Sequence, residues 1–395
     1  MRAPESCGTP TRGIRTRSTS RGRTGSTCPA PRIRAVSALR GVLAPYALTR
    51  ILTAVVALAA AALFPSPTIC PDVCHPSTNP LLDVATRWDS GAYLALARDG
   101  YSAAVPANNA YFPLFPFLMR ALGAPFGGSD DAYLAAAVVV SNVALLVAAA
   151  YLFALVALDR EGATGSRAVL YLLVFPTSVF LAVVYPESLF LALAVGSVYH
   201  ARRGDWLLAG ALGGLAALTR PFVGAALCLP IAIEALRQSH VRAGLASAAV
   251  APAALVAWLL ALWRITGDPR AVLTAEESWG VRPAFPTQAF ADLFDPRVYG
   301  FPFLVLFSTI FVAVLVALSW RTLRPSLAAY GTIVFLVSVS TGSLTSAPRY
   351  YLTVFPAFMV LAIVAQGWVG RAYVAVGAAV GVILTAMFAL WYWVA

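Results

Sequence analysis

Apolar runs of roughly 15 to 25 residues, rich in Leu, Ala and Val, recur along this chain, and they limit its folding more than any other feature. A helix needs about 20 such residues to cross roughly 30 Å of hydrocarbon. Inside a bilayer only helices and closed barrels satisfy their own backbone hydrogen bonds. The ten-residue segments of alternating polarity that mark a membrane barrel do not occur. The expected fold class is therefore an all-α membrane protein, a polytopic helical bundle. Composition agrees: 60% of the residues are hydrophobic and only 11% charged, where soluble domains are about 25% charged.

The net charge of +11 comes from arginines in the N-terminal tail and in short loops between apolar runs. That distribution reports topology and contact with anionic lipid headgroups, and no nucleic-acid partner is expected. Residues 1–34 are rich in Arg, Ser, Thr and Pro and have too little apolar content to fold, so a disordered basic cytoplasmic tail is expected. Residues 35–395 form the expected transmembrane domain. The run 41–64 is its first span, and 65–109 the first outer loop. Residues 111–126 carry three prolines and Arg120 and read as an interfacial or re-entrant element. Further runs fall at 133–158, 168–185, 187–201, 206–219, 222–236, 244–265, 300–319, 326–341, 350–366 and 372–393, which predicts about eleven spans in all.

Threading these runs alternately puts Arg160, Arg167, Arg202, Arg203, Arg237, Arg242, Arg321, Arg324 and Arg371 on the cytoplasmic side, as the positive-inside rule requires. Asp89, Glu187, Arg220, Arg349 and the segment 266–299 then fall on the outer side. Asp89 lies in TRWDSGAYLALARDGY (86–101), where Trp88, Ala92, Ala95, Leu96 and Asp99 recur at helical spacing. This predicts an amphipathic helix in the interface plane.

Charged residues in such a chain are candidates for function. Arginine binds phosphate through a planar fork of donors, aromatic rings stack on sugar faces, and an Asp beside them suits a general base on an acceptor hydroxyl. Simpler readings stand beside this one. Asp89 is also placed to pair with Arg87 or to cap the following helix. Glu187 is placed to complement a helix dipole, and Arg220 and Arg349 to snorkel. Trp391 to Trp393 read as an interfacial aromatic anchor. Cys70 and Cys74 are open to a disulfide if their Cα atoms approach within about 7 Å, and no metal site is expected because that loop has too few ligands.

Four stretches resemble the PIG-V-like mannosyltransferases, and in particular their actinobacterial branch: RWDSGAYLALARDGY (87–101) with YFPLFPFLMR (111–120), FPTSVFLAVVYPESLFLAL (175–193), LAALTRPFVG (215–224) and SAPRYYLTVFPAF (346–358). The resemblance implies a GT-C glycosyltransferase fold with an amphipathic helix in the first outer loop and an active site on the outer face. It implies a polyprenyl-phosphate-mannose donor and inverting transfer to a glycolipid or glycan acceptor. By the same resemblance Asp89 matches a catalytic acidic position and Glu187 a second acidic one, so these two are the expected catalytic residues, while Arg220 and Arg349 match basic positions facing donor phosphate. Arg87, Trp88, Tyr93, Arg220, Arg349 and Tyr350 make up the expected substrate-binding set, with Trp88 and Tyr93 setting the position of Asp89. Bacterial relatives often carry Gln in the segment after GDP, where this chain has GDPRAVLTAEESWG (267–280) with Glu276 and Glu277. A transporter or flippase of lipid-linked sugars is the alternative, although no internal repeat of the kind many transporters carry is evident.

Overall fold

A computed structural model describes residues 32–65, 75–278, 280, 284–291, 293 and 301–394, and all regular structure among them is helical. Most of the expected tail lies outside these residues, as do Cys70 and Cys74 with the disulfide considered for them. Helices of eight or more residues are numbered here: α1 (Arg32–Leu63), α2 (Ser90–Asp99), α3 (Leu114–Gly123), α4 (Asp130–Ala157), α5 (Gly162–Leu173), α6 (Glu187–Arg203), α7 (Trp206–Ala217), α8 (Cys228–Arg237), α9 (Val241–Thr266), α10 (Ala271–Ser278), α11 (Pro302–Thr322), α12 (Pro325–Val339), α13 (Phe355–Val364) and α14 (Gly367–Ala389). The first begins at Arg32, inside the stretch expected to be tail.

Five of these, α1 from Arg40 on, α4, α9, α11 and α14, have 21 to 28 residues and are apolar enough to cross a membrane. A sixth element is a pair, Ala347–Thr353 and Phe355–Val364, bent by 77°. The other expected runs are shorter or broken. The run 168–185 leaves helix after Leu173, ahead of Pro176, and continues through a 3-10 turn at Ser178–Leu181. The run 222–236 is split between a turn at Pro221–Ala225 and α8. Among the described residues five helices, or six with the bent pair, have the length and apolarity of a crossing, and the expected eleven include the shorter and interrupted runs as well.

The packing follows the apolar pattern. Leu48 and Ile51 on α1, Phe303, Phe307 and Ile310 on α11, and Val376 and Ile383 on α14 are exposed, the surface expected against lipid. By contrast α6 and α13 are buried along most of their length. Broken or short helices at membrane depth are tolerated where protein surrounds them. The amphipathic helix predicted in the first outer loop is α2. Its Tyr93, Leu94, Leu96 and Ala97 are buried against α3 and α4, and Gly100 ends it with φ +78°. At its exposed end Arg98 pairs with Asp99 and Asp130, contacts that contribute little to stability.

The two ends of the bundle differ in chemistry. At one end Arg202 holds Asp159 through two hydrogen bonds of 2.8 Å, and Arg324 lies 3.8 Å from Asp159 and 3.4 Å from Glu234. Glu187 begins α6 and Arg202 and Arg203 end it. With 17 residues in that helix, roughly 25 Å of rise separates them.

Candidate active site

Prolines fix where the charged residues of the other end sit. Pro186 precedes Glu187 at the start of α6, and Pro348 precedes Arg349 in the turn Ala347–Tyr350, just before the 77° bend. Arg220 is extended, at φ −140° and ψ 115°, as steric conflict with the ring of Pro221 requires. Asp89 occupies the N-cap of α2, but its side chain makes no capping hydrogen bond. Trp88 before it stands at φ +57°, a left-handed conformation that is strained for a bulky residue. The surroundings hold it there. The Asp89 backbone N–H donates to the Tyr185 hydroxyl at 3.1 Å, and that hydroxyl donates to the Arg87 carbonyl at 3.2 Å. Ser90 Oγ donates to the same carbonyl at 2.8 Å.

Arg349 ties the charges together. Its Nη1 donates to Asp89 Oδ2 at 2.7 Å, and its Nε lies 3.4 Å from Glu187 Oε1. Arg220 Nη2 donates to that same Glu187 oxygen. Glu187 is fully buried, and its Oε2 has no hydrogen-bond partner. The Tyr350 ring lies 4.9 Å from the Arg220 guanidinium and 5.3 Å from that of Arg349. Arg349 also faces the rings of Phe180, Tyr185 and Trp393 at 5.1 to 5.5 Å, contacts that favour a desolvated cation.

Asp89 faces two ways. While Oδ2 meets Arg349, Oδ1 accepts a hydrogen bond of 3.3 Å from the Tyr111 hydroxyl. Burial, and then the Asp89 charge, push the Tyr111 hydroxyl above the usual phenol range, so it stays a neutral donor. Beside Asp89 opens a hollow of about 460 Å³ that includes Trp88, Asn108, Tyr111 and Trp391. One wall is the face of α2 that carries Gly91, Ala92 and Ala95, small side chains that leave the space free.

The structure therefore brings together Asp89, Glu187, Arg220, Arg349 and Tyr350, with Trp88 at the rim. Tyr93 packs behind them, edge-on to Tyr111 at 4.9 Å and to Phe115 at 5.2 Å. Arg87 stands apart from the charged cluster. It is 1% exposed, and its donors go to Asp83 and to the carbonyls of Asp83, Thr86 and Ala389. Its partner is Asp83, so neither pairing with Arg87 nor helix capping accounts for Asp89. The residues expected as an interfacial anchor also make contacts within the fold. Trp391 and Trp393 pack on Trp88 at 6.0 and 5.4 Å, and Trp391 lies over Arg87 at 4.8 Å. Nothing in the spacing of residues 88 and 391 signals that contact.

The described residues form an all-α bundle with carboxylates and guanidiniums paired at one end. In the fold it is similar to ArnT from Cupriavidus metallidurans, solved bound to undecaprenyl phosphate, with a TM-score of 0.51 and 16% identity over 89% of this chain and 76% of that one. The Archaeoglobus fulgidus oligosaccharyltransferase, solved with a tethered acceptor peptide, matches at a TM-score of 0.43 and 12% identity over 87% of this chain and 55% of its own. Residues 39–228 match the family Mannosyltransferase (PIG-V), which bears out the resemblance read from the motifs. No curated protein matches the chain significantly. The family match, over just under half of the chain, and the similarity in fold both lie with membrane glycosyltransferases.

Proposed function

We propose that this protein transfers mannose from a polyprenyl-phosphate-mannose donor to the hydroxyl of a glycolipid or glycan acceptor, on the outer face of the cell membrane. The observation that carries the reading is the placement of Asp89, with one carboxylate oxygen toward the arginines and the other beside an open hollow. The N-terminus is then cytoplasmic and the arginine-rich end of the bundle faces inward, in keeping with the positive-inside rule.

The chemistry is a single displacement. The acceptor oxygen attacks the anomeric carbon, its proton passes to Asp89, and the bond from that carbon to the phosphate oxygen breaks. Polyprenyl phosphate leaves as an anion beside Arg220 and Arg349. Arg220 Nη1 and Arg349 Nη2 donate no hydrogen bond to another described residue and suit phosphate oxygens. Glu187 acts as a positioning residue, since one buried carboxylate oxygen holds both guanidiniums. That ArnT was solved with undecaprenyl phosphate supports a lipid phosphate as the carrier. Asp89→Asn should cut transfer from radiolabelled polyprenyl-phosphate-mannose by about 100-fold or more while the protein still accumulates in membranes. Unchanged turnover overturns the proposal, as does movement of intact carrier without cleavage of the sugar–phosphate bond, which is the behaviour of a flippase.

A further inference from the structure

The end of the bundle remote from Asp89 contains a second pocket, of about 320 Å³, whose lining includes Arg160, Arg237 and Arg324. It is formed where α4, α8 and α13 end and α11 passes into α12. Four arginines stand around it, Arg202 with the three in the lining, against two carboxylates, Asp159 and Glu234. Asp159 is taken by Arg202 and shared with Arg324, while Glu234 is fully buried and accepts from Ser326 Oγ at 2.5 Å and from Arg324. Two positive charges remain unbalanced. Arg160 donates only to the Thr322 carbonyl, at 3.3 Å, and Arg237 pairs with no described residue.

Apart from Thr322, the rest of the wall is apolar and includes Leu323, Met359 and Ile363. A cationic rim over an apolar wall, at the end of α11 with its exposed apolar side chains, matches an amphiphile with an anionic head. Guanidiniums suit phosphate oxygens, and the apolar wall suits the first methylenes of an acyl chain. We infer that this pocket binds the phosphodiester headgroup of an anionic membrane phospholipid, apart from the sugar-transfer site. The general affinity of basic loops for a negative leaflet would be spread over every exposed arginine, whereas the pocket concentrates it at Arg160, Arg237 and Arg324.

Arg237→Gln is a clean probe, because Arg237 is exposed and its loss breaks no bond within the fold. Arg321→Gln is the control, an exposed arginine at the same end outside the pocket. The full chain, extracted from nanodiscs of phosphatidylcholine containing one-tenth phosphatidylglycerol, is examined by native mass spectrometry for retained lipid. The expected result is a phosphatidylglycerol adduct that persists in Arg321→Gln and falls at least fivefold in Arg237→Gln, with inorganic phosphate at 10 mM leaving it in place. Equal retention in both variants overturns the site in favour of diffuse attraction. Displacement by inorganic phosphate overturns the lipid assignment in favour of a free-phosphate pocket. Because retention is read without turnover, the result stands whatever the donor or acceptor proves to be.

Discussion

Arg349 makes a hydrogen bond to one carboxylate and an ion pair to a second, and among the described residues no other side chain pairs with both Asp89 and Glu187. Its planar fork sets the separation of Asp89 and Glu187, which a lysine, as a single flexible point charge, cannot do. Arg349→Lys is therefore expected to lower kcat/KM at least tenfold although charge is kept, and a normal rate would show that only the charge matters. Glu187→Gln should act differently. It weakens the hold on Arg220 and Arg349 together, so the donor KM should rise more than kcat falls; steady-state kinetics with varied donor separate the two effects. At this scale the sequence was informative where a charge was anomalous. Asp89, Glu187, Arg220 and Arg349 stand out from an apolar background, and motif position marked them further. Arg87 looked equivalent because it lies two residues from Asp89, yet the turn at Trp88 sends it to the opposite side. Trp391 and Trp393 carried no signal, since aromatic residues after a last span ordinarily sit in the headgroup layer.

Among the elements, the breaks matter more than the long helices, because every one of the four charged residues stands at a helix start or interruption. Gly224 seats the turn that carries Arg220. A Cβ there would lie 2.5 Å from Ala217 Cα and 2.6 Å from the Ala216 carbonyl oxygen. Gly224→Ala should push the turn off α7, costing about 1–3 kcal/mol of stability and raising the donor KM; thermal unfolding in detergent together with kinetics checks both. The helix α10 offers a pH-dependent test. Burial raises the Glu276 carboxyl to about 7, well above its unfolded value, so folding favours the protonated form. The stabilisation is complete below about pH 4 and is lost as pH rises through 7, amounting to as much as ~3 kcal/mol. Tm should fall between pH 5 and 8, and Glu276→Gln should flatten that slope; a slope unchanged by the substitution would contradict it. Helix identity was legible from the apolar runs, but span number was not. A stretch such as 168–185 has the hydropathy of a crossing, and only its proline hints that the backbone leaves helix partway.

For the molecule as a whole, the site and the arginine-rich end occupy opposite ends of α6, so the proposed orientation can be tested by labelling. In a cysteine-free background, Val105→Cys near the hollow and Arg203→Cys at the other end are both exposed. A membrane-impermeant maleimide added to intact cells should label the first and spare the second, and the reverse pattern would invert the topology. The Asp89–Arg349 hydrogen bond also spans 260 positions of sequence. At roughly 5 to 20 residues per second of synthesis, the carboxylate enters the bilayer some tens of seconds before its guanidinium exists. Until then the membrane holds a loop whose acid still lacks the arginine that pairs with it in the folded chain. A ribosome stalled anywhere between the two leaves that pair unmade, and it closes only when the chain folds back on its own beginning.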